Sequence, residues 1–264
     1  MRHVLWIGGA PGSGKTTVAT RLARRHGLRW YNADARTWAH RDHALREGNE
    51  AARRWEELTP HERRTSITPA EMFEMSLHRE RGPMVVDDLR AMPLSPLTVA
   101  EGTTVLPALV AEPGRSVWLI PSPELQQTRL KERDGNANQL YLLLATEIER
   151  EARAHDAPIL TIDGSQTIDE TVAAVEELFA DALAEGPRAE SPAERRALLR
   201  DGNLATVEQI RAYYARPWAN GNADTIDRMF ICECGDPACD ASVVLTVGVV
   251  AAEPALALGH TPVR

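Results

Sequence analysis

Lysine is almost missing from this chain, which carries only Lys15 and Lys131 among its 30 basic residues and so leaves 28 arginines. No long basic block occurs, and the net charge is -8. A surface that embraces nucleic acid needs the opposite balance, so neither a nucleic acid nor a nucleic-acid end is the expected partner. Long apolar runs are also missing. The longest, "ASVVLTVGVVAA" at 241–252, falls well short of the roughly 20 residues of a membrane span, and the N-terminal apolar stretch is too short for a signal-peptide core. Cysteine is confined to Cys232, Cys234 and Cys239, which excludes disulfides spread as staples and favours reduced thiols in a cytoplasmic protein. What is present is 264 residues with 43% apolar content, enough for one large domain with a small appendage.

One of the two lysines stands in "GGAPGSGKTT", residues 8–17. The stretch fits G-x-x-x-x-G-K-[ST] with Gly9, Gly14, Lys15 and Thr16, a match expected by chance on the order of once in a thousand such chains. Its flanks agree: "VLWIG" reads as a buried strand, and "TTVATRLARRHG" reads as a helix with Val18, Leu22 and Ala23 on one face and Gly27 at its end. In that geometry backbone N–H groups and the helix dipole wrap a polyphosphate. Gly9, Gly12, Ser13, Gly14, Lys15, Thr16 and Thr17 form the expected nucleotide-binding set, with Lys15 reaching the β and γ phosphates and Thr16 giving its hydroxyl to Mg2+.

Four further apolar segments read as strands: 28–32, 96–101, 116–121 and 158–163. Helical patterns lie between them, so the expected fold is α/β, a parallel sheet of about five strands with helices on both faces. Ligands in such sheets sit at the carboxyl ends of strands. Asp34, with Arg36 on the same loop, follows the second strand and Glu101 ends the third, each also readable as a helix cap or surface charge. "MVVDD" at 84–88 mimics a metal-binding strand end. Too few residues separate it from "LTVAE" for a parallel crossover, and Pro83 suits a helix's first turn, so a helix with Val85, Val86 and Leu89 inward is expected.

The chain resembles P-loop kinases of the nucleoside-monophosphate, shikimate and gluconate kinase type. The likeness rests on the loop at Gly9–Thr17, the acid at Asp34, "AEGT" at 100–103 and "TRLKERDGNANQ" at 128–139, and it covers residues 1–184. It implies ATP and Mg2+ as cofactors, Asp34 holding or deprotonating the acceptor hydroxyl, Glu101 orienting the Mg2+ shell, and Arg129 and Arg133 on a closing lid. Glu101 departs from the Asp that many relatives carry, and "RLKER" also reads as a solvated helix face. Residues 35–95 would enclose a small-molecule acceptor. From 36 to 81 they hold nine arginines and nine acids, so charge does not tell the acceptor's sign. Trp38, Trp55, His40, His43, His61 and His78 could line a pocket, though most read as core aromatics and surface histidines. The whole chain also resembles bacterial P-loop ATPases with an appended cysteine module.

Residues 184–194 read as a linker, and a helix is expected over 193–215. The tail that follows is too small to hold a core unaided. Organisation is accordingly expected as 1–184, a linker and docking helix at 185–227, and a cysteine-rich module at 228–264. Cys232 and Cys234, at i and i+2 on a strand, would face Cys239, with His260 completing a Cys3His zinc set. Thiols without metal and a redox pair are the other readings. The expected function is ATP- and Mg2+-dependent phosphoryl transfer to a small hydroxyl- or phosphate-bearing molecule. The alternative is an ATP-binding switch whose C-terminal module contacts a partner.

Overall fold

The structure is a computed structural model that describes residues 1–134, 138–252 and 256. The chain runs β1 (Val4–Gly9), α1 (Lys15–His26), β2 (Arg29–Asn32), a 3-10 turn (Ala33–Arg36), α2 (Thr37–Arg46), α3 (Glu50–Glu57), α4 (Glu62–Thr65), α5 (Pro69–Met75) and α6 (His78–Ala91). It continues through β3 (Thr98–Gly102), α7 (Pro107–Val110), β4 (Ser116–Pro121), α8 (Pro123–Asp134), α9 (Gln139–Ala154), β5 (Ile159–Ile162), α10 (Ile168–Leu178) and α11 (Ala180–Glu185). The C-terminal part adds α12 (Pro192–Tyr214), β6 (Asp227–Ile231), β7 (Ser242–Thr246) and α13 (Val247–Ala252). No helix among the described residues is long and apolar enough to cross a membrane.

Five strands form one parallel sheet in the order β2-β3-β1-β4-β5. β1 is buried at every position, as continuous apolar runs are when helices cover both faces. Side chains alternate across it. Leu5 and Ile7 meet Val18 and Leu22 of α1 and Val172 and Val175 of α10, whereas Val4 and Trp6 meet Val85 and Leu89 of α6 and Leu144 and Ile148 of α9. The chain passes to opposite sides of β1, so β1 ends at the crevice where such sheets bind ligands.

Gly8 makes that ending possible. A Cβ there would lie 2.0 Å from the indole Nε1 of Trp118, a fully buried ring that itself donates to the Val105 carbonyl at 3.1 Å. The ring cannot withdraw without losing its bond. Gly8→Ala is therefore expected to cost about 1–3 kcal/mol as an overpacked core, read as a lowered urea midpoint with an unchanged slope.

The acids of "MVVDD" lie on α6, as expected, but α6 begins at His78. Pro83 is thus inside the helix rather than in its first turn. The helix starts early because Leu77 turns the chain in the left-handed region (φ 58).

Within the expected linker, residues 186–191 form an ordered strap between α11 and α12. Ala189 N–H donates to the Gly27 carbonyl at 2.7 Å and Leu97 N–H donates to the Pro187 carbonyl at 2.8 Å. α12 then lies against edge strand β2, with Gly202 so close to Trp30 that a Cβ would be 2.5 Å from the ring. Covering an edge strand in this way removes its open hydrogen-bonding row from solvent. Behind α12, Val207 and Ile210 share a small core with Phe230, Val247, Val250 and Leu256.

Candidate nucleotide and acceptor site

The loop from Gly9 to Thr16 needs glycine for backbone reasons. Gly9 (φ 146), Gly12 (φ 83) and Gly14 (φ 88) all lie where side-chain-bearing residues are strained. α1 starts immediately after Gly14, with no acid in its first turn. Its unshared N–H groups and positive dipole end face the loop. Ser13 Oγ is buried there without a hydrogen-bond partner. This cradle fits a polyphosphate.

Lys15 is 6% exposed, and its Nζ lies 3.9 Å from Asp34 Oδ2. Asp34 is aimed by local chemistry. Asn32 caps the 3-10 turn by accepting from Asp34 N–H at 2.8 Å, and Thr103 Oγ1 donates to Asp34 Oδ1 at 3.1 Å. Glu101 pairs in register with Ile7 and Asn32, fully buried in the crevice between β1 and β2. Its Oε1 accepts from Thr16 Oγ1 at 3.1 Å, and its Oε2 meets no donor at hydrogen-bond geometry. Burial pushes the Glu101 carboxyl up to about 7, against the pull of Lys15 and with the push of Asp34. Two hard oxygen donors, Thr16 and Glu101, thus lie side by side, a set that could hold Mg2+.

Asp88 is committed elsewhere. It accepts from Tyr31 at 2.7 Å, His40 at 3.0 Å and Arg36 at 3.1 Å. Burial opposes its ionisation, but these donors hold its carboxyl down to about 2. Asp88 therefore fastens α6 to β2 and α2, and Arg36 is used in that fastening.

Two cavities meet at Lys15. One, of about 450 Å3, is lined by Gly12–Thr17, by Arg129, by Ile162 of β5, by Gln166 in the segment after it, and by Ile168 and Thr171 of α10. Arg129 Nη1 donates to the Gly12 carbonyl at 3.0 Å, so α8 grips the phosphate loop from outside. Arg133 is on the same helix, but its side chain and the 135–137 tip lie outside the described residues.

The second cavity, of about 340 Å3, runs from Lys15, Asp34 and Thr103 to Trp38, Trp55, Met72 and Leu144. Sequence reasoning missed two buried arginines on its wall: Arg81, which donates to the Ala33 carbonyl at 2.7 Å, and Arg41. That side chain is 4% exposed, donates through Nη2 to the Met75 carbonyl, and leaves Nε and Nη1 buried without partners. Burial pushes it down to about 10, which still leaves a cation at neutral pH. Nothing in the sequence distinguishes Arg41 from its eight arginine neighbours. Of the four histidines in the insertion, His40 and His78 are buried and His43 and His61 are exposed. His78 is pushed down to about 4, chiefly by burial and then by Arg81.

The C-terminal segment props this second cavity. Trp218 Nε1 donates to Glu56 at 2.6 Å, Arg216 pairs with Asp42 at 2.7 Å, and the Arg63 guanidinium is stacked between Trp218 (3.8 Å) and Trp55 (4.5 Å). Cys232, Cys234 and Cys239 are brought together, but not on a strand: β6 ends at Ile231, and Cys232 adds one more cross-strand bond, to the Ala241 carbonyl at 2.9 Å. Burial, followed by the neighbouring thiols, pushes Cys234 up to about 12. His260 lies outside the described residues.

Among curated proteins, none matches the sequence. A solved structure described as "Crystal structure of TT1252 from Thermus thermophilus" is similar at 19% identity, over 67% of this chain and 96% of that one, with a TM-score of 0.42. A family model described as an AAA domain (AAA_18), of P-loop NTPase and kinase-like type, matches residues 5–155. That is more than half of the chain, and with the phosphate loop and the five-stranded parallel sheet it shows that the protein belongs to this family of nucleotide-binding P-loop proteins.

Proposed function

We propose that the protein is an ATP- and Mg2+-dependent phosphotransferase for a small molecule that carries an acceptor hydroxyl and an anionic group. The observation that carries this reading is the pair of cavities sharing Lys15, one against the phosphate loop and one against Asp34. A nucleotide switch needs only the first. In transfer, Lys15 neutralises the migrating phosphoryl group and Asp34 orients and deprotonates the acceptor hydroxyl, while Thr16 and Glu101 would hold Mg2+, which would supply further positive charge to the phosphates. Arg129 adds positive charge from the α8 side. The thiols of Cys232, Cys234 and Cys239 belong to the same reading as a zinc-type structural site.

The anionic part of the acceptor follows from Arg41. Arg41 keeps two buried N–H faces unpartnered beside indole rings, and the charge of Glu56 offsets only part of its burial, a state that an anion meeting those N–H faces would relieve. Screening phosphorylated and carboxylated metabolites for acceptor-stimulated ADP release tests the function, and tight ATP binding with no stimulated turnover by any of them would sink it. Once an acceptor is known, Arg41→Met should raise its KM about 10–100-fold, the worth of a hydrogen bond to a charged group, while the KM for ATP stays within about twofold. A change confined to kcat would remove Arg41 from acceptor binding.

A further inference from the structure

The Sγ atoms of Cys232, Cys234 and Cys239 lie within 4.8 Å of one another, and none is in a disulfide. The surrounding backbone is built for convergence. Cys232 N–H donates to the Ala241 carbonyl at 2.9 Å, Cys239 N–H donates to the Asp236 carbonyl at 3.2 Å, and Gly235 (φ 79) makes the reversal between them. Asp236 N–H points at Cys234 Sγ at 3.5 Å, the kind of outer contact that orients a thiolate toward a metal. Glu233, between the first two cysteines, is turned away and 1% exposed. It accepts from Asn203 at 2.6 Å and from Leu256 N–H at 3.0 Å, so it is a lock on α12 and not a ligand.

This cluster is seated on α1, the helix that follows the phosphate loop. Arg24 of α1 is 6% exposed, donates through Nη2 to the Cys232 carbonyl at 2.6 Å, and keeps Nη1 buried without a partner. Arg21 pairs with Asp240 at 2.9 Å. A cavity of about 380 Å3 is lined by Thr16, Thr17 and Arg24 of α1 and by Cys239. Three thiolates around a divalent ion carry one net negative charge when the fourth donor is neutral, and Arg24 supplies the opposite charge in a buried setting.

We propose that Cys232, Cys234 and Cys239 hold one soft divalent ion of the zinc class, and that this metal–thiolate unit, seated against Arg24, clamps the C-terminal module to α1 so that nucleotide affinity depends on the metal. The second half rests on the phosphate loop being the nucleotide site, and the test separates the two. Full-length protein purified without a metal-affinity tag should contain about one zinc per chain, and cobalt exchanged into it should show thiolate-to-metal charge-transfer absorption. Removing the ion with a chelator should weaken binding of a non-hydrolysable ATP analogue about tenfold, within the usual range of coupling between sites, and zinc added back should restore it. Arg24→Met should lose affinity to a similar degree with the metal retained, whereas Lys15→Met should lose nucleotide binding with the metal untouched.

A metal-free folded protein whose cobalt form lacks charge-transfer bands overturns the site. Retained metal whose removal leaves nucleotide affinity unchanged overturns the clamp. Should Cys234→Ser fold, it must lose the ion; should it not, chelator titration of the unmodified chain decides both points.

Discussion

Lys15→Met is expected to lower acceptor-stimulated ATP turnover by at least about 10²–10³-fold, the scale of losing one preorganised charge at a developing anion, in a protein that remains folded. The expectation comes from position. Lys15 is nine-tenths buried where both cavities meet, and its ammonium lies within reach of Asp34 on one side and of the phosphate cradle on the other. Without it, Asp34 and Glu101 both lose the ammonium whose charge acts on them, so the phosphoryl group would approach two acids with less positive charge beside them. Lys15→Arg should rescue little, although this chain uses arginine almost everywhere else. The guanidinium is a planar fork, and the site needs a compact point charge at the end of a flexible stem. Steady-state turnover and analogue binding measure both variants. Turnover within tenfold of the unmodified protein would remove Lys15 from the transfer step.

The rarity of lysine thus pointed to the residue where the two cavities of the candidate site meet, and more of the fold was legible for similar reasons. Buried parallel strands leave continuous apolar runs, so the five strands could be found to within about two residues at their ends. "MVVDD" was separable from a strand because crossover length is a geometric limit that composition cannot hide. What was not legible depends on contacts with no local signature. The stretch 184–194 looks like a linker because its prolines and glycine break periodicity, yet the order of its middle comes from backbone bonds to Gly27 and Leu97 that no side chain announces. Arg41 is one arginine among nine between 36 and 81, and only its burial between Trp38 and Trp55 sets it apart. The cysteines converge through a turn after β6, where spacing alone had suggested a strand face.

Glu101→Gln should separate stability from function, in opposite directions and with a defined pH dependence. The Glu101 carboxyl stands at about 7 in the folded chain against an ordinary 4.5, so between those values the folded state holds a proton that the unfolded state has lost. Stability therefore falls as pH rises from about 4.5 through 7 and is lowest, for this group, above 7. Glutamine keeps an oxygen for Thr16 and cannot ionise, so the variant without nucleotide should melt at a higher temperature than the unmodified chain at pH 8, with the gap closing toward pH 4.5. Turnover should move the other way. Mg2+ binds the ionised carboxylate, so Mg2+–ATP should bind the unmodified protein more tightly as pH rises through 7 and should release a proton as it does so. The variant should show neither effect, and its turnover should fall about 10²-fold or more. Calorimetric melts at pH 5 and pH 8 read the first prediction, and Mg2+–ATP titrations in two buffers of different ionisation heat read the second. Melting curves that stay parallel between the two proteins across that range would mean that Glu101 is ionised throughout, with Lys15 compensating it fully even before nucleotide arrives.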